Sequence, residues 1–304
     1  LRGPRTAVAI ALLLTALAAA GCGLGPGSEV GNVDLTVTRD YGTVPMLHRQ
    51  VDDVTESDTV MRALERNADV STRYGGGFVQ TIDGLEAEEA VDRSLDWFFF
   101  VNGVESTVGA ADYPLHGGES IWWDYRDWSA AMRVPAVVGA WPRPLLGGYE
   151  GKAHPVGVEC MGGGAACAEV DERLEDAGVE VASRPPNGSM RVLVGPWSRL
   201  RMDPAASQIE RGPQASGVFA DFSPSGDAYR LIGLDEGGDD AVELGPDAGL
   251  VAATRRFEDP PVWVVTGGTE AGVRAAAQLL DTASLRDHYA VAVDGKRETA
   301  LPVR

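Results

Sequence analysis

His48, His116, His154 and His288 are the obvious general bases or metal ligands in this chain, and they are scattered. No H-E-x-x-H pair and no G-x-S-x-G turn occurs, so neither a zinc hydrolase nor a nucleophile elbow is written into the sequence. An extracellular hydrolase would need folding to bring a Ser or Asp beside His154 or His288, because a triad is defined by geometry rather than chain order. Without catalytic or metal-ligand spacing, the sequence favours a protein that is not an enzyme. Gly267-Gly268-Thr269 lacks the lysine of a phosphate-binding loop and reads as a tight turn before a helix. Asp235-Glu236-Gly237-Gly238-Asp239-Asp240 lacks the alternating pattern of a calcium loop and reads as a solvated acidic turn. The aromatic residues say more. In Ile121-Trp122-Trp123-Asp124-Tyr125, neighbours on a strand face opposite sides, so Trp122 and Trp123 cannot both be core if one face meets water. Trp97, Trp122, Trp123, Tyr125 and Trp128 are therefore the candidate ligand-binding residues, an aromatic platform for a flat small molecule or a protein partner. The alternative is that the second tryptophan packs beneath the Pro/Gly-rich stretch that follows.

The cysteines divide by position. Residues 1–21 carry Arg2 and Arg5, no acid, and an apolar run from Ala7 to Ala20, the layout of a secretory signal peptide and too short to span a bilayer. Leu17-Ala18-Ala19-Ala20-Gly21-Cys22 resembles the bacterial lipobox, with Ala19 where leucine is usual. The resemblance implies lipidation at Cys22, a membrane partner reached through that anchor, a tether over 22–32 and placement on the outer face of the cell membrane. Cleavage after Ala20 with release as a secreted protein is the other outcome. Cys160 and Cys167 are then an even pair in an oxidising compartment and are expected to form a disulfide. Their spacing is not C-x-x-C, and no metal is assigned to them.

A chain of 304 residues with 26 basic against 45 acidic side chains, net −19, is long enough for two domains. That charge excludes nucleic acid as the main partner, and loss of Arg2 and Arg5 with a leader makes the remainder more acidic still. Val33, Leu35 and Val37 alternate with polar residues as a half-buried strand does, and Ser57 stands where an N-cap would precede Val60, Met61 and Leu64. Residues 97–101 form an apolar run into Asn102-Gly103, the hairpin signal, with a returning strand over 105–108. Strands over 113–115 and 120–125 follow. Breakers Pro142, Pro144, Gly147 and Gly148 mark a linker over 131–154. Beyond it, strands at 179–181, 190–194, 217–222, 262–265 and 289–293 alternate with helices at 166–177, 205–210 and 270–280, the last capped by Thr269.

Thr59-Val60-Met61-Arg62-Ala63-Leu64, then Asp96-Trp97-Phe98-Phe99-Phe100-Val101-Asn102-Gly103, then the stretch Tyr113-Pro114-Leu115-His116-Gly117-Gly118-Glu119-Ser120 leading into Ile121-Trp122-Trp123-Asp124-Tyr125, form a recognisable set. Residues 33–128 thereby resemble a bacterial surface-domain family related to the C-terminal domain of transcobalamin and intrinsic factor. The resemblance implies a small grasp-like domain used for binding, with a corrinoid as the ligand to test and no cofactor. The helical partner domain of the cobalamin carriers has no counterpart here. The expected architecture is an α+β grasp-like N-terminal domain over 33–130, followed after the linker by an α/β domain of strand-helix-strand units over 155–304. The expected function is a lipid-anchored surface binding or accessory protein, with an envelope protein-interaction or structural module as the alternative.

Overall fold

In the computed structural model, Val33, Leu35 and Val37 are buried on one face of β1 (Glu29–Arg39), as their alternation with polar residues requires. The structure describes residues 27–90, 93–162 and 164–304; the expected leader, Cys22 and residues 22–26 of the expected tether lie outside the described residues. β2 (Val44–Thr55) returns along β1, and α1 (Val60–Glu65) crosses the buried face. A small sheet follows, β3 (Val70–Arg73), β4 (Phe78–Ile82) and β5 (Leu85–Glu86). The main sheet of this half is completed by β6 (Glu88–Glu89), β7 (Ser94–Val101), β8 (Val104–Glu105) and β9 (Ser120–Asp127), in the order β2-β1-β9-β7-β6 with β8 also on β7. β1 pairs with β9 in parallel; the other pairings are antiparallel.

Local chemistry explains where these elements depart from expectation. Thr59, not Ser57, caps α1: its Oγ1 accepts the Arg62 amide at 3.3 Å, while Asp58 turns back to the Thr55 amide and to Arg66. The strand returning from the hairpin stops at Glu105, because the Ser106 hydroxyl bonds the Val108 backbone and the Glu105 amide is taken by the Pro135 carbonyl. Residues 113–115 form no strand, only a bridge between Thr59 and Pro114. Asn102 and Gly103 both have positive φ, as the two-residue turn demands. The turn also holds the chain that follows β9: Asn102 Nδ2 donates to the Gly148 carbonyl at 2.8 Å, and a Cβ on Gly103 would meet the Val137 carbonyl.

The second half is built on β10 (Val156–Cys160), β11 (Met190–Pro196), a small meander β12 (Ala220–Ser225), β13 (Ala228–Leu234) and β14 (Asp240–Glu243), then β15 (Gly249–Thr254), β16 (Val262–Gly267), β17 (Ala290–Asp294) and β18 (Arg297–Leu301). Its main sheet runs β10-β11-β16-β15-β17-β18, parallel across the first three strands and antiparallel beyond. α2 (Gly164–Asp176) connects β10 to β11, and α3 (Glu270–Ala277) connects β16 to β17. Both helices cover one face, with Val170, Leu174, Val273 and Ala276 packed over Trp263 and Val265. Residues 206–211 form a 3-10 turn rather than an α-helix, its start held by Asp203 Oδ1, which accepts the Ala205 and Ala206 amides. The strand expected at 179–181 is reduced to one bridge between Val181 and Val156, and the one expected from 217 begins at Ala220.

Residues 131–154 have the composition of a linker but are not laid out as an exposed one. Ala131, Val134, Val137, Val138, Trp141 and Leu145 are all buried. Val134 and Val137 join a core cluster that runs from Phe100 and Trp122 of the first sheet and Tyr41 of its β1–β2 turn to Trp197, Phe219 and Tyr289 of the second half. Trp141 lies against Trp263, ring centres 5.5 Å apart, on the far face of the second sheet. The protein is thus a mixed, strand-rich α/β chain in two parts that share a hydrophobic core. Each fully buried large side chain in that seam contributes roughly 1.5–3 kcal/mol over its exposed state.

Candidate functional site

Alternation along β9 decides which aromatic residues are available. Ile121, Trp123 and Tyr125 face α1 and the core of the first half, while Trp122, Asp124 and Arg126 face the second half. Neither face of the strand meets water, so Trp122 and Trp123 are both buried, each 2 % exposed. The exposed platform expected of one of them is therefore absent; the reason is that a second domain covers the sheet. Trp122 is spent in the seam, its Nε1 donating to Thr38 Oγ1 at 2.8 Å and its ring edge-on to Tyr289. Thr38 passes the hydrogen bond on to Asp124, which is wholly buried and also accepts from Tyr289 Oη at 2.9 Å and from the Gly42 amide. Burial pushes the Asp124 carboxyl up to about 6 against these donors and the Arg126 charge. Arg126 is 1 % exposed and bonds the Ala131 and Met132 carbonyls, with its guanidinium 3.9 Å from the Phe98 ring centre.

On the other face of the first sheet the aromatic residues line a cleft of about 660 Å³, within the usual range of small-molecule sites. Trp123 and Phe99, both in its lining, lie against each other with ring centres 4.9 Å apart. Trp97 forms the adjoining wall, held by Nε1 donating to the Leu85 carbonyl and by contact with Tyr125, whose hydroxyl bonds the Glu86 carbonyl. Tyr74 and Phe78 stand at the rim, 85 % and 67 % exposed and packed edge to face at 5.8 Å. Tyr74 is held at φ 54°, in the left-handed region that a bulky side chain rarely adopts. An open strand edge also borders it: β7 is paired with β6 up to Leu95 and with β8 from Phe100, leaving residues 96–99 without a paired strand on that side. Asp96 Oδ1 covers part of this edge by accepting the Trp97 amide at 2.7 Å.

Polar groups in the cleft are few. Arg73, Asp96, Glu105 and Asp112 are its charged residues. Burial raises the carboxyls of Asp96 and Glu105, opposed at Asp96 by the Trp97 amide and by Arg73 and Arg126, and at Glu105 by Arg133. Trp123 Nε1 is buried and has no hydrogen-bond partner among the described residues, a state it shares with Trp197 Nε1 and Trp263 Nε1 in the core. Of the five expected ligand residues, the structure brings Trp97 and Trp123 into the cleft with Tyr125 behind them; Trp122 is in the seam. Trp128 is half-buried just past β9 and its amide bonds the Ser94 carbonyl, outside the cleft lining. Tyr74, Phe78, Asp96 and Phe99 were missed. The signal for Tyr74 and Phe78 is the run Tyr74-Gly75-Gly76-Gly77-Phe78, three glycines bounded by two aromatic residues, while Asp96 and Phe99 lie outside it.

The weaker sequence signals resolve locally. Thr269 caps α3, accepting the Gly272 amide, and donates to Asp247, whose carboxylate sits where an anion would have to bind. Asp235 Oδ1 accepts the Gly237 and Asp239 amides, closing the acidic turn on itself. Cys160 and Cys167 form a disulfide with Cα atoms 6.0 Å apart, tying the end of β10 to α2. His154 stacks on Tyr149 at 4.2 Å, and neither His154 nor His288 lines the aromatic cleft. Among the described residues no group of three or more His, Cys, Asp or Glu is placed to hold a metal, and no helix is long and apolar enough to cross a membrane.

Fold and cleft together describe a two-part mixed α/β protein whose first part carries an aromatic-lined cleft. Residues 57–127 match the model of a domain of unknown function, DUF4430, and every residue lining the cleft falls within that span. Two solved structures are similar over about a third of the chain. One, from Ruminococcus gnavus, is provisionally described as a metal binding protein; it is 16% identical over 32% of this chain and 97% of its own, with a TM-score of 0.25. The other is haptocorrin in complex with Cbi, 15% identical over 33% of this chain and 26% of its own, with a TM-score of 0.26. This chain thus matches only about a quarter of the length of haptocorrin. No curated protein matches the chain significantly.

Proposed function

We propose that this is a binding protein of the bacterial envelope that takes a flat, largely apolar small molecule in the cleft of its first half, and that it is not an enzyme. One observation carries the reading: an aromatic-lined cleft of about 660 Å³ that gathers Tyr74, Phe78, Trp97, Phe99 and Trp123. A flat ligand would stack on the ring faces that Trp97 and Phe99 contribute to it. A corrinoid is the first occupant to test, because the sequence set around 96–125 resembles the corrinoid-closing domain family and because a similar structure holds Cbi. Anchoring through a lipidated Cys22 at the outer face of the membrane, or release as a secreted protein, belongs to the same proposal.

Titration of the purified chain with corrinoids, read by tryptophan fluorescence, tests it, since Trp97 and Trp123 would both be quenched. Phe99→Leu removes one stacking face from the cleft and should weaken binding about fivefold, the order of a single aromatic stacking contact. No spectral change at any corrinoid concentration would remove that occupant. Equal affinity of wild type and Phe99→Leu would remove the stacking role given to the cleft. A second reading, docking of an envelope protein, is favoured by the exposed Tyr74 and Phe78 pair at the rim. Pull-down from solubilised membranes with wild type and Tyr74→Ala separates the two.

A further inference from the structure

The main chain beside the cleft has chemistry of its own. The Ser94 carbonyl accepts the Trp128 amide and the Asn102 amide donates to the Ser120 carbonyl, both towards β9. Main-chain groups alternate sides along a strand, so the even-numbered residues of β7 are spent on β9. The odd-numbered ones, Trp97 and Phe99 among them, turn theirs to the other edge. There β7 meets β6 at Leu95 and β8 at Phe100. The Trp97 N–H is taken by Asp96 Oδ1 at 2.7 Å. The Trp97 C=O and the Phe99 N–H have no hydrogen-bond partner among the described residues.

The cleft follows this edge rather than one face of the sheet. Its lining includes Trp97 and Phe99, which share a face with Tyr125 and Trp123, and also Asp96 and Phe98, which share the opposite face with Arg126 and Asp124. Four consecutive residues of alternating faces have only the strand edge in common. Ala87, which precedes β6, and Glu105 and Ser106, at the end of β8, belong to the same lining, so the cleft lies in line with the two short outer strands. At about 3.4 Å per residue, residues 96–99 leave roughly 14 Å of edge. We infer that the cleft receives an extended peptide segment of a partner protein, added as a strand to the open edge of β7. The residue opposite Phe98 donates its N–H to the Trp97 C=O and accepts the Phe99 N–H, the two bonds that a parallel neighbour makes from one residue. An antiparallel segment centred on Trp97 needs the amide that Asp96 holds. The side chains before and after that residue fall on the face of Trp97 and Phe99 and are therefore apolar, with the exposed Tyr74 and Phe78 at the rim to cover them. The inference rests on the second reading of the cleft, docking of an envelope protein, and supplies its mode.

The probe is the blocked peptide acetyl-Ser-Leu-Thr-Leu-Ser-amide, whose threonine can lie opposite Phe98 with a leucine on either side. Fluorescence titration of the purified chain should show saturable binding, read through Trp97 and Trp123. N-methylation of the threonine removes the N–H given to Trp97 and should weaken binding about fivefold or more, the order of one main-chain hydrogen bond. N-methylation of the leucine after it, whose N–H points away from β7, should change affinity by less than about twofold. No binding of the parent peptide, no loss on methylating the threonine, or the same loss from both methylations would each overturn the inference. If Tyr74→Ala abolished capture of an envelope protein while the threonine-methylated peptide bound wild type as the parent does, the rim would remain a docking site and strand addition would be removed.

Discussion

Asp124→Asn is the perturbation whose outcome the structure fixes most closely. The carboxylate lies wholly buried between the two sheets, and burial lifts its pKa from an ordinary 3.8 to about 6. At about 1.4 kcal/mol per pKa unit, the native state holds the Asp124 proton more tightly than the unfolded chain by roughly 3 kcal/mol. Because the folded pKa is the higher one, this stabilisation is complete below about pH 3.8 and is lost as pH rises through about 6. Between about pH 4.5 and 7.5 the loss is about 2 kcal/mol. Asparagine cannot ionise, so the variant does not share it. Its amide N–H does face a site built from donors, Thr38 Oγ1, Tyr289 Oη and the Gly42 amide, and the variant is expected to start about 1–3 kcal/mol less stable at acid pH. The deficit should then shrink by about 2 kcal/mol towards neutral pH. Asp58 and Asp203, both held below the usual carboxylate range by hydrogen bonds and by Arg66 and Arg191 despite partial burial, titrate in the opposite sense. They do so in both proteins and cancel in the difference. Urea unfolding of the pair across that pH range is the assay. A deficit that stays constant or grows with pH would refute the placement of an ionised, desolvated carboxylate in the seam.

Replacing Cys160 and Cys167 with serine opens a loop with a sequence separation of 7, and in the chain-entropy model should cost about 2.5 kcal/mol, read as a lower urea midpoint with an unchanged slope. A rise in stability on reduction would show that the bridge does not stabilise the native fold. Thr59→Ala removes the hydroxyl that caps α1 and should cost about 1 kcal/mol, whereas Ser57→Ala should cost little. The reverse order would move the helix start back to the position expected from the sequence.

Elements encoded over a few residues were legible: the alternation of β1, the Asn102-Gly103 hairpin, the Thr269 cap and the cysteine pair all follow from neighbours in sequence. What depended on distant chain was not. The two-sided burial of Trp122 and Trp123 requires the second half to lie on the first sheet, and no local pattern on β9 records that. Proline and glycine over 131–154 read as a linker because composition reports backbone freedom. The buried valines and Trp141 in the same stretch report packing, and the structure follows them. The cleft was half legible. Trp97 and Trp123 stood out by type, but the open edge at residues 96–99 arises from β6 and β8 being too short to meet along β7.

The place of β1 inside its sheet bears on how the chain is made. β1 is flanked by β2 and β9, and β9 does not begin until Ser120, so a chain emerging amino end first presents one side of β1 unpaired until that later strand arrives. Val33, Leu35 and Val37 are uncovered for the same interval, since β9 and α1 supply their packing. A nascent hairpin with a free apolar edge is a target for wrong pairing. Parallel closure over so long a stretch is intrinsically slow. Production of this protein is therefore expected to depend on holding the first strands apart until residues 120–127 are out, and truncations ending before β9 should aggregate rather than fold.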